Sequence, residues 1–324
     1  MAVSQMIPTA RRIVVDLLAV APGERVCIVT DHERPREVTE ALLSVIEYVG
    51  AEGVVVTMPP RDMGGVDPPP AVGAAMKASD VAIMQLSFST VHTRTVREAL
   101  AAGTRICELW GVTTDMMVRG GLTEDPAWVQ RVTEEVSALL TNGRTLEMTT
   151  PDGSWLKVSL EGRSAISLAA GATRPGQFCS LPLGEAAIAP VEGTAEGVMT
   201  GPYLVEHRDI ARPREPLTLR IEKGLVTAVE GGVEARRLAA LLDQHGPTAR
   251  NIAEVAVGTN RRSRVDVGLR EAKKAWGTAH FAVGDSQSIG GTVESPLHID
   301  FIFREPTVTV DGQCVVKDGR LLIA

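Results

Sequence analysis

Aromatic residues are scarce in this chain: Phe, Trp and Tyr together make up 3% of its 324 residues. Few rings are therefore available for stacking on bases or sugars, and the cores must consist mainly of Val, Leu, Ile and Ala. Cysteine is also sparse, and the four cysteines, at positions 27, 107, 179 and 314, form no CxxC pair. This spacing indicates buried free thiols, and it favours neither a zinc ribbon nor a disulfide framework.

The chain also lacks any run of basic residues, and its net charge is -7. Nucleic-acid binding needs clustered Lys and Arg, so we expect a small-molecule substrate and no nucleic-acid partner. No apolar stretch approaches the roughly 20 residues of a membrane span, and the N-terminal residues lack the apolar region of a signal peptide. We therefore expect a cytoplasmic protein with no membrane partner. The segment VTDHERP, which follows the first apolar run, contains no GxGxxG, so no dinucleotide cofactor is predicted.

What the chain does contain first is an alternation of short apolar runs and amphipathic helices, from ERVCIVTD to TRICELWG. This pattern predicts βαβ units and a parallel sheet that is covered on both faces. After a helix predicted for about 125–140, strands and hairpins dominate. Because the length exceeds the usual size of one domain, we predict two domains. Residues 1–145 would form an α/β N-terminal domain with a parallel sheet, and residues 146–324 an α+β C-terminal metal-binding domain.

Two of the six histidines lie in one stretch, GTAHFAVGDSQSIGGTVESPLHIDFIF, which runs from Gly277 to Phe303. Within it, His298 and Asp300 alternate with apolar residues, so a strand places both side chains on one face, about 6 to 7 Å apart. Such a pair either binds a metal ion or forms a buried hydrogen bond, and the spacing alone leaves both alternatives open.

Three further residues extend this candidate metal site. His280 stands in another apolar run, and Glu254 interrupts the apolar run of NIAEVAVGTN. A carboxylate buried without a partner costs several kcal/mol, so Glu254 needs a cation, an arginine or a proton. The same argument applies to Glu185 in SLPLGEAAIAP, for which an exposed edge position is the alternative.

Two histidines outside this stretch have other interpretations. His92 follows the C-terminal end of a predicted parallel strand, the edge at which α/β sheets place ligands, and is a candidate catalytic residue. His245 closes a predicted helix before Gly246, where a histidine favours the C-terminal dipole.

Five motifs in sequence order, LPLGEAAIAPVEGTAEGV, NIAEVAVGTN, GTAHFAVGD, GG and SPLHIDFIF, resemble the thermophilic metalloprotease-like family. That family holds the T- and S-type aminopeptidases and, more distantly, the 2,5-dihydroxypyridine dioxygenases. The resemblance covers mainly residues 175–324 and implies a homodimer. It also implies that one or two divalent ions, Zn, Co or Mn, bind to Glu185, Glu254, His280, His298 and Asp300.

The leading hypothesis from this resemblance is a metal-dependent hydrolase of small amides, peptides or cyclic amide-like compounds. A metal-activated water attacks the substrate, and Glu254 transfers the proton. One departure concerns the tyrosine that the aminopeptidases place soon after the histidine matching His280. This chain has the segment DSQS at 285–288 instead.

The alternative is a mononuclear non-haem iron(II) ring-cleaving dioxygenase for a hydroxylated N-heterocycle such as a dihydroxypyridine, with His92 as base. The dioxygenases resemble this chain in the pair of His298 and Asp300 but have a histidine where Glu254 stands. Here His280 would complete the triad of two histidines and one carboxylate for Fe(II). A non-catalytic small-molecule binding protein is a third possibility, which no positive feature of the sequence supports.

Overall fold

The computed structural model describes residues 1–323. Within them the α-helices, in chain order, are α1 (Val3–Arg11), α2 (Arg36–Tyr48), α3 (Pro70–Lys77), α4 (Arg94–Ala101), α5 (Pro126–Asn142), α6 (Val233–His245) and α7 (Leu269–Ala272). Other helical turns are Arg12–Leu17, of the π type, and Gly121–Thr123, Pro247–Arg250 and Gln287–Ile289, of the 3-10 type. In this described part of the chain, no helix is long and apolar enough to cross a membrane.

The strands of the same residues are β1 (Arg25–Asp31), β2 (Glu52–Met58), β3 (Val81–Gln85), β4 (Arg105–Glu108), β5 (Thr145–Thr149), β6 (Trp155–Ser159), β7 (Ile166–Ser167), β8 (Phe178–Ser180), β9 (Glu185–Ile188), β10 (Glu196–Thr200), β11 (Leu204–Val205), β12 (Thr218–Glu222), β13 (Leu225–Glu230), β14 (Ile252–Gly258), β15 (Ala279–Gly284), β16 (His298–Phe303), β17 (Thr307–Val310), β18 (Gln313–Lys317) and β19 (Arg320–Leu321). They form three sheets.

The chain divides into two compact units, each built from three segments that are not contiguous in the sequence. The first unit comprises Met1–Pro126, Ala169–Leu183 and Arg262–Arg264, and the second comprises Ala127–Leu168, Gly184–Arg261 and the described residues from Val265 onward. The boundary near residue 145, which would separate two independently folding domains, stays a prediction.

The first unit contains the predicted parallel sheet, with strand order β2-β1-β3-β4-β8 and parallel pairing throughout. Every residue of β3 and β4 is buried, which explains their continuous apolar runs. The outer strand β8 comes from residues 178–180, which the sequence pattern assigned to the second domain. A strand of three residues is too short to show the alternation from which strands are predicted.

The second unit contains two antiparallel sheets, the arrangement expected for the C-terminal part. An eight-stranded sheet has the order β13-β12-β10-β6-β5-β17-β18-β19, and strands such as β5 alternate buried and exposed residues. In the six-stranded sheet, with the order β11-β16-β15-β14-β9-β7, every residue is buried in five strands: β9, β11, β14, β15 and β16. We call it the site sheet.

An aromatic stack covers one face of the site sheet. Phe281 on β15 pairs directly with Phe301 on β16, and their ring centroids lie 5.2 Å apart. Phe303 stacks on Phe281 from two residues further along β16, at 5.8 Å. Because successive side chains of a strand point to opposite faces, the residues between these phenylalanines project from the other face.

Gly284 ends β15 at the position that pairs with His298. Its φ is +106°, and an added Cβ would lie 2.1 Å from the carbonyl oxygen of Leu297. We expect Gly284→Ala to lower the free energy of unfolding in urea by about 2 to 3 kcal/mol, because backbone strain and the clash with the Leu297 carbonyl group add. Gly290→Ala is the matched control, since its φ is +93° with nothing within 4 Å, and should cost about 1 kcal/mol. Equal losses in the two variants would contradict this role of the Leu297 contact.

Candidate metal centre

The five predicted metal ligands all project from the face of the site sheet opposite the aromatic stack: Glu185 on β9, Glu254 on β14, His280 on β15, and His298 and Asp300 on β16. Glu254 and Asp300 both stand opposite Ala282, one from each neighbouring strand. His280 and His298 are each two residues from that row along their own strands, so they share its face. A β-bulge between Ile252 and Glu254 sets this register.

Glu254 lies at the centre of the group. Its Oε1 is 3.5 Å from Nε2 of His280, and its Oε2 is 3.1 Å from Nε2 of His298. Oδ1 of Asp300 lies 3.3 Å from the same His298 nitrogen, and Oε1 of Glu185 lies 3.8 Å from Nε2 of His280. Two overlapping sets have all their ligand atoms within 4.8 Å of one another: Glu185, Glu254 and His280, and Glu254, His298 and Asp300.

Several ligand atoms of this group have no well-aligned hydrogen-bond partner among the described residues. They are both ring nitrogens of His280, Oδ1 of Asp300 and Oε2 of Glu185, and all of them are buried. Leaving a buried polar atom unpaired costs about 1 to 3 kcal/mol, and a divalent cation bound by either set of ligand atoms would pair with at least one of these atoms. Imidazole and carboxylate donors suit zinc, manganese and iron(II) alike. The residues therefore fit a metal ion.

The ring of His298 is held from behind. Its Nδ1 lies 2.8 Å from the backbone carbonyl oxygen of Asp285 and donates to it in the tautomer that leaves Nε2 facing Glu254 and Asp300. Metal-binding histidines are commonly fixed in this way, because the outer hydrogen bond sets both tautomer and ring orientation.

Two lysines that the sequence analysis missed contact the carboxylates. Nζ of Lys273 lies 2.5 Å from Oδ2 of Asp300 and 3.8 Å from Oε2 of Glu185, while Nζ of Lys274 lies 2.6 Å from Oε2 of Glu185. Both lysines follow directly after the end of α7 at Ala272, and both are buried. The only signal in the sequence was the position of the pair between small apolar residues.

The buried charges shift one another's pKa values. Burial acts to lower the pKa of Lys273, but the negative charges of Asp300 and Glu185 outweigh it and raise the pKa well above its usual value. Burial lowers the pKa of Lys274 to about 8 despite the charge of Glu185. Burial acts to raise the pKa of Asp300, yet Lys273 and His298 hold it well below its usual range. Asp300 is therefore ionised at neutral pH.

A further buried acid, Glu206, was also missed. Its backbone N–H donates to the carbonyl oxygen of Asp300 at 2.9 Å, and its side chain is buried next to the Asp300 carboxylate. Burial and the negative charge of Asp300 raise the pKa of Glu206 well above its usual value. The raised pKa favours the protonated form of Glu206, which can donate a hydrogen bond to Asp300.

Comparison with known proteins shows the family of this chain. A sequence model of the NicX family, described as 2,5-dihydroxypyridine 5,6-dioxygenase, matches residues 6–323. The chain belongs to the NicX family. This membership supports the dioxygenase alternative of the sequence analysis better than the hydrolase hypothesis.

Individual relatives agree with this family. The chain is 27% identical over 263 residues to the 2,5-dihydroxypyridine 5,6-dioxygenase of Pseudomonas putida KT2440, a match that covers 76% of this chain and 72% of the relative. A solved structure of the dioxygenase from that organism aligns with a TM-score of 0.83 at 21% identity and covers 100% of this chain and 99% of the other. Wild-type AmpT from Thermus thermophilus aligns with a TM-score of 0.72 at 19% identity, covering 99% of both chains. At these identities the structural matches show a shared fold, so the hydrolase hypothesis has support from the fold alone.

The iron(II) triad that the sequence analysis expected for a NicX-type dioxygenase combined His280 with His298 and Asp300. In the described residues, the set that closes around His298 and Asp300 within 4.8 Å contains Glu254 instead. His280 forms its set with Glu185 and Glu254. The ligand roles of these five residues stay predictions.

The structure also places the remaining candidates of the sequence analysis. His92 is half-buried in the turn before α4, in the first compact unit, and its carbonyl oxygen accepts a hydrogen bond from Arg97 at 2.9 Å. Its role as a base stays a prediction, since the five metal-ligand candidates belong to the second unit. His245 is the last residue of α6, directly before Gly246. The exposed edge position considered for Glu185 is wrong, because its side chain is only 1% exposed.

Metal binding to this NicX-family chain should depend on pH through His298. Burial acts to lower its pKa, but Asp300 and Glu254 outweigh burial and raise the pKa well above the usual value. The metal-free ring is therefore protonated at neutral pH, and an incoming ion must displace that proton. We expect manganese(II) affinity to rise about tenfold per pH unit up to this raised pKa, then level off. Calorimetry in buffers of different ionisation enthalpy measures the proton release.

His245→Ala is the control for this pH dependence, because it removes a histidine outside the metal centre and should leave the proton release unchanged. An affinity that is constant across neutral pH, with no proton released, would contradict the assignment to His298.

Proposed function

We propose that this chain is a mononuclear non-haem iron(II) dioxygenase that cleaves the ring of a dihydroxylated pyridine. The family match over residues 6–323 supports the reaction class, and the P. putida relative supports the substrate class. The single observation that carries the proposal in this chain is the buried set of Glu254, His298 and Asp300, with its ligand atoms within 4.8 Å.

Each residue of this set would supply one donor atom to the ion. His298 presents Nε2 because Asp285 holds its other nitrogen, and Asp300 presents Oδ1 because Lys273 holds Oδ2. Glu254 supplies the third donor, Oε2, 3.1 Å from the His298 nitrogen. A bound iron(II) supplies the redox chemistry that reaction of dioxygen with an aromatic ring requires. Burial of all three ligands keeps bulk water away from the reacting groups.

The test is oxygen consumption with 2,5-dihydroxypyridine. Protein loaded anaerobically with iron(II) should consume oxygen in proportion to substrate and remove the ring's ultraviolet absorbance, whereas zinc-loaded protein should do neither. The variant Asp300→Asn should lose the iron-dependent rate, because it removes the charge of one ligand. Iron-loaded protein that leaves 2,5-dihydroxypyridine and related dihydroxypyridines intact would contradict the proposal.

A two-ion hydrolase is the second candidate, favoured by one observation. Glu254 contacts a different histidine with each carboxylate oxygen, at 3.5 and 3.1 Å, as a carboxylate that bridges two ions would. In that case zinc- or manganese-loaded protein should release amine from small amides or peptides without consuming oxygen. Both candidates act on a small molecule. The homodimer expected from the family resemblance stays a proposal, which sedimentation analysis checks.

A further inference from the structure

The Glu185 side of the metal centre contains a fully buried ammonium group. Nζ of Lys274 lies 2.6 Å from Oε2 of Glu185, and the two side chains are 0% and 1% exposed. We propose that Lys274 takes the place of a second cation, so that the five ligand residues hold one metal ion, in the set of Glu254, His298 and Asp300. The inference rests on the proposed function for the presence of an ion, and it adds a positioning residue that fixes the number of ions.

The distances favour the His298 side for the ion. Ligand atoms that share an ion at bond lengths of about 2.0 to 2.2 Å lie roughly 3 to 3.5 Å apart. Nε2 of His298 is 3.1 Å from Glu254 and 3.3 Å from Asp300, whereas Nε2 of His280 is 3.5 Å from Glu254 and 3.8 Å from Glu185. The first set already has the spacing of a single coordination sphere.

The carboxylates of Asp300 and Glu185 also differ in their contacts with the two lysines. Asp300 gives Oδ2 to Lys273 and keeps Oδ1, which has no aligned partner in the described residues, toward His298. Glu185 has Lys274 at 2.6 Å and Lys273 at 3.8 Å from the same oxygen, Oε2. Glu185 therefore already has two cations beside it, and a metal ion in its set would be a third.

The charge balance leads to the same count. With both imidazoles neutral, as metal ligation requires, the three carboxylates and the two ammonium groups leave one formal negative charge. One divalent ion brings the sum to one positive charge, and two ions bring it to three, in a site with almost no exposed surface. Glu206 adds at most one negative charge and does not change which count lies nearer neutrality. Uncompensated buried charge is costly, so one ion is favoured.

Counting ions in the full-length protein tests this proposal. Wild-type protein, saturated with manganese(II) and desalted, should retain one ion per chain by elemental analysis, and two ions would overturn the proposal. Lys274→Met should retain two, because the Glu185 set loses its ammonium group. The matched control, Lys157→Met, removes the lysine of an exposed pair with Glu147 and should retain one. A folded Lys274→Met protein with one ion would equally overturn it.

Loss of Lys274 also leaves Glu185 buried without its nearest cation, so the variant's folding is measured by circular dichroism with and without manganese(II). If it folds only with metal, two equivalents should be needed, and recovery with one equivalent or no recovery would contradict the proposal. The double variant Glu185→Gln, Lys274→Met removes both charges and should return to one ion. These counts do not depend on oxygen consumption. A count of two ions would overturn the role of Lys274 and the single-ion site but not iron-dependent ring cleavage, which the oxygen assay tests separately.

Discussion

His298→Ala is expected to weaken iron(II) and manganese(II) binding by more than about a hundredfold and to abolish oxygen consumption with 2,5-dihydroxypyridine. The loss exceeds the roughly 10- to 100-fold that removal of an outer hydrogen-bond partner causes, because His298 is the only imidazole of its set. Its Nε2 lies within 3.3 Å of both carboxylates of that set, so its removal takes away the nitrogen that both carboxylates face. Titration of the metal-free protein with manganese(II), followed by electron paramagnetic resonance, measures the affinity.

His280→Ala is the most informative comparison for this result. If the single ion lies in the His298 set, His280 does not bind the ion and contacts its ligand Glu254 from 3.5 Å. Removal of His280 should then cost no more than the roughly 10- to 100-fold of an outer partner. His245→Ala, outside the centre, should leave the affinity unchanged. A larger loss for His280→Ala than for His298→Ala would place the ion in the Glu185 set and contradict the assignment.

The candidate ligand residues, which the structure brings together, stand out in the sequence because their signal is local. His298 and Asp300 alternate with apolar residues within one strand, and Glu254 interrupts an otherwise apolar run, so each is recognisable without knowledge of its neighbours in space. The parallel sheet was predictable for the same reason, since buried parallel strands appear as continuous apolar runs.

The division of the candidate ligands into two sets was not predictable, because it depends on the register between the strands that carry them. The bulge before Glu254 and the pairing of β14 with β15 decide which carboxylate oxygen faces which imidazole, and no local pattern encodes that pairing. Lys273 and Lys274 were missed for a related reason. A lysine pair is usually solvated, and only the tertiary structure shows that each ammonium group meets a carboxylate from another strand.

The interaction between Lys273 and Asp300 is the second contact whose removal should have a large effect. In metal-free protein, Lys273→Met leaves the fully buried Asp300 carboxylate without its ammonium partner at 2.5 Å. Breaking a buried ion pair on one side costs about 3 to 5 kcal/mol, so we expect a loss of that size in the free energy of unfolding, measured in urea with a chelator present.

The same variant should lose less stability when a divalent ion is bound, because the ion then replaces the ammonium group as the cation next to Asp300. Lys157→Met serves as control, since its pair with Glu147 is about half exposed and such surface pairs contribute no more than about 1 kcal/mol. A Lys273→Met protein that is equally destabilised with and without manganese(II) would show that the ion does not lie beside Asp300. A loss as small as that of the control would show that the buried pair does not stabilise the fold.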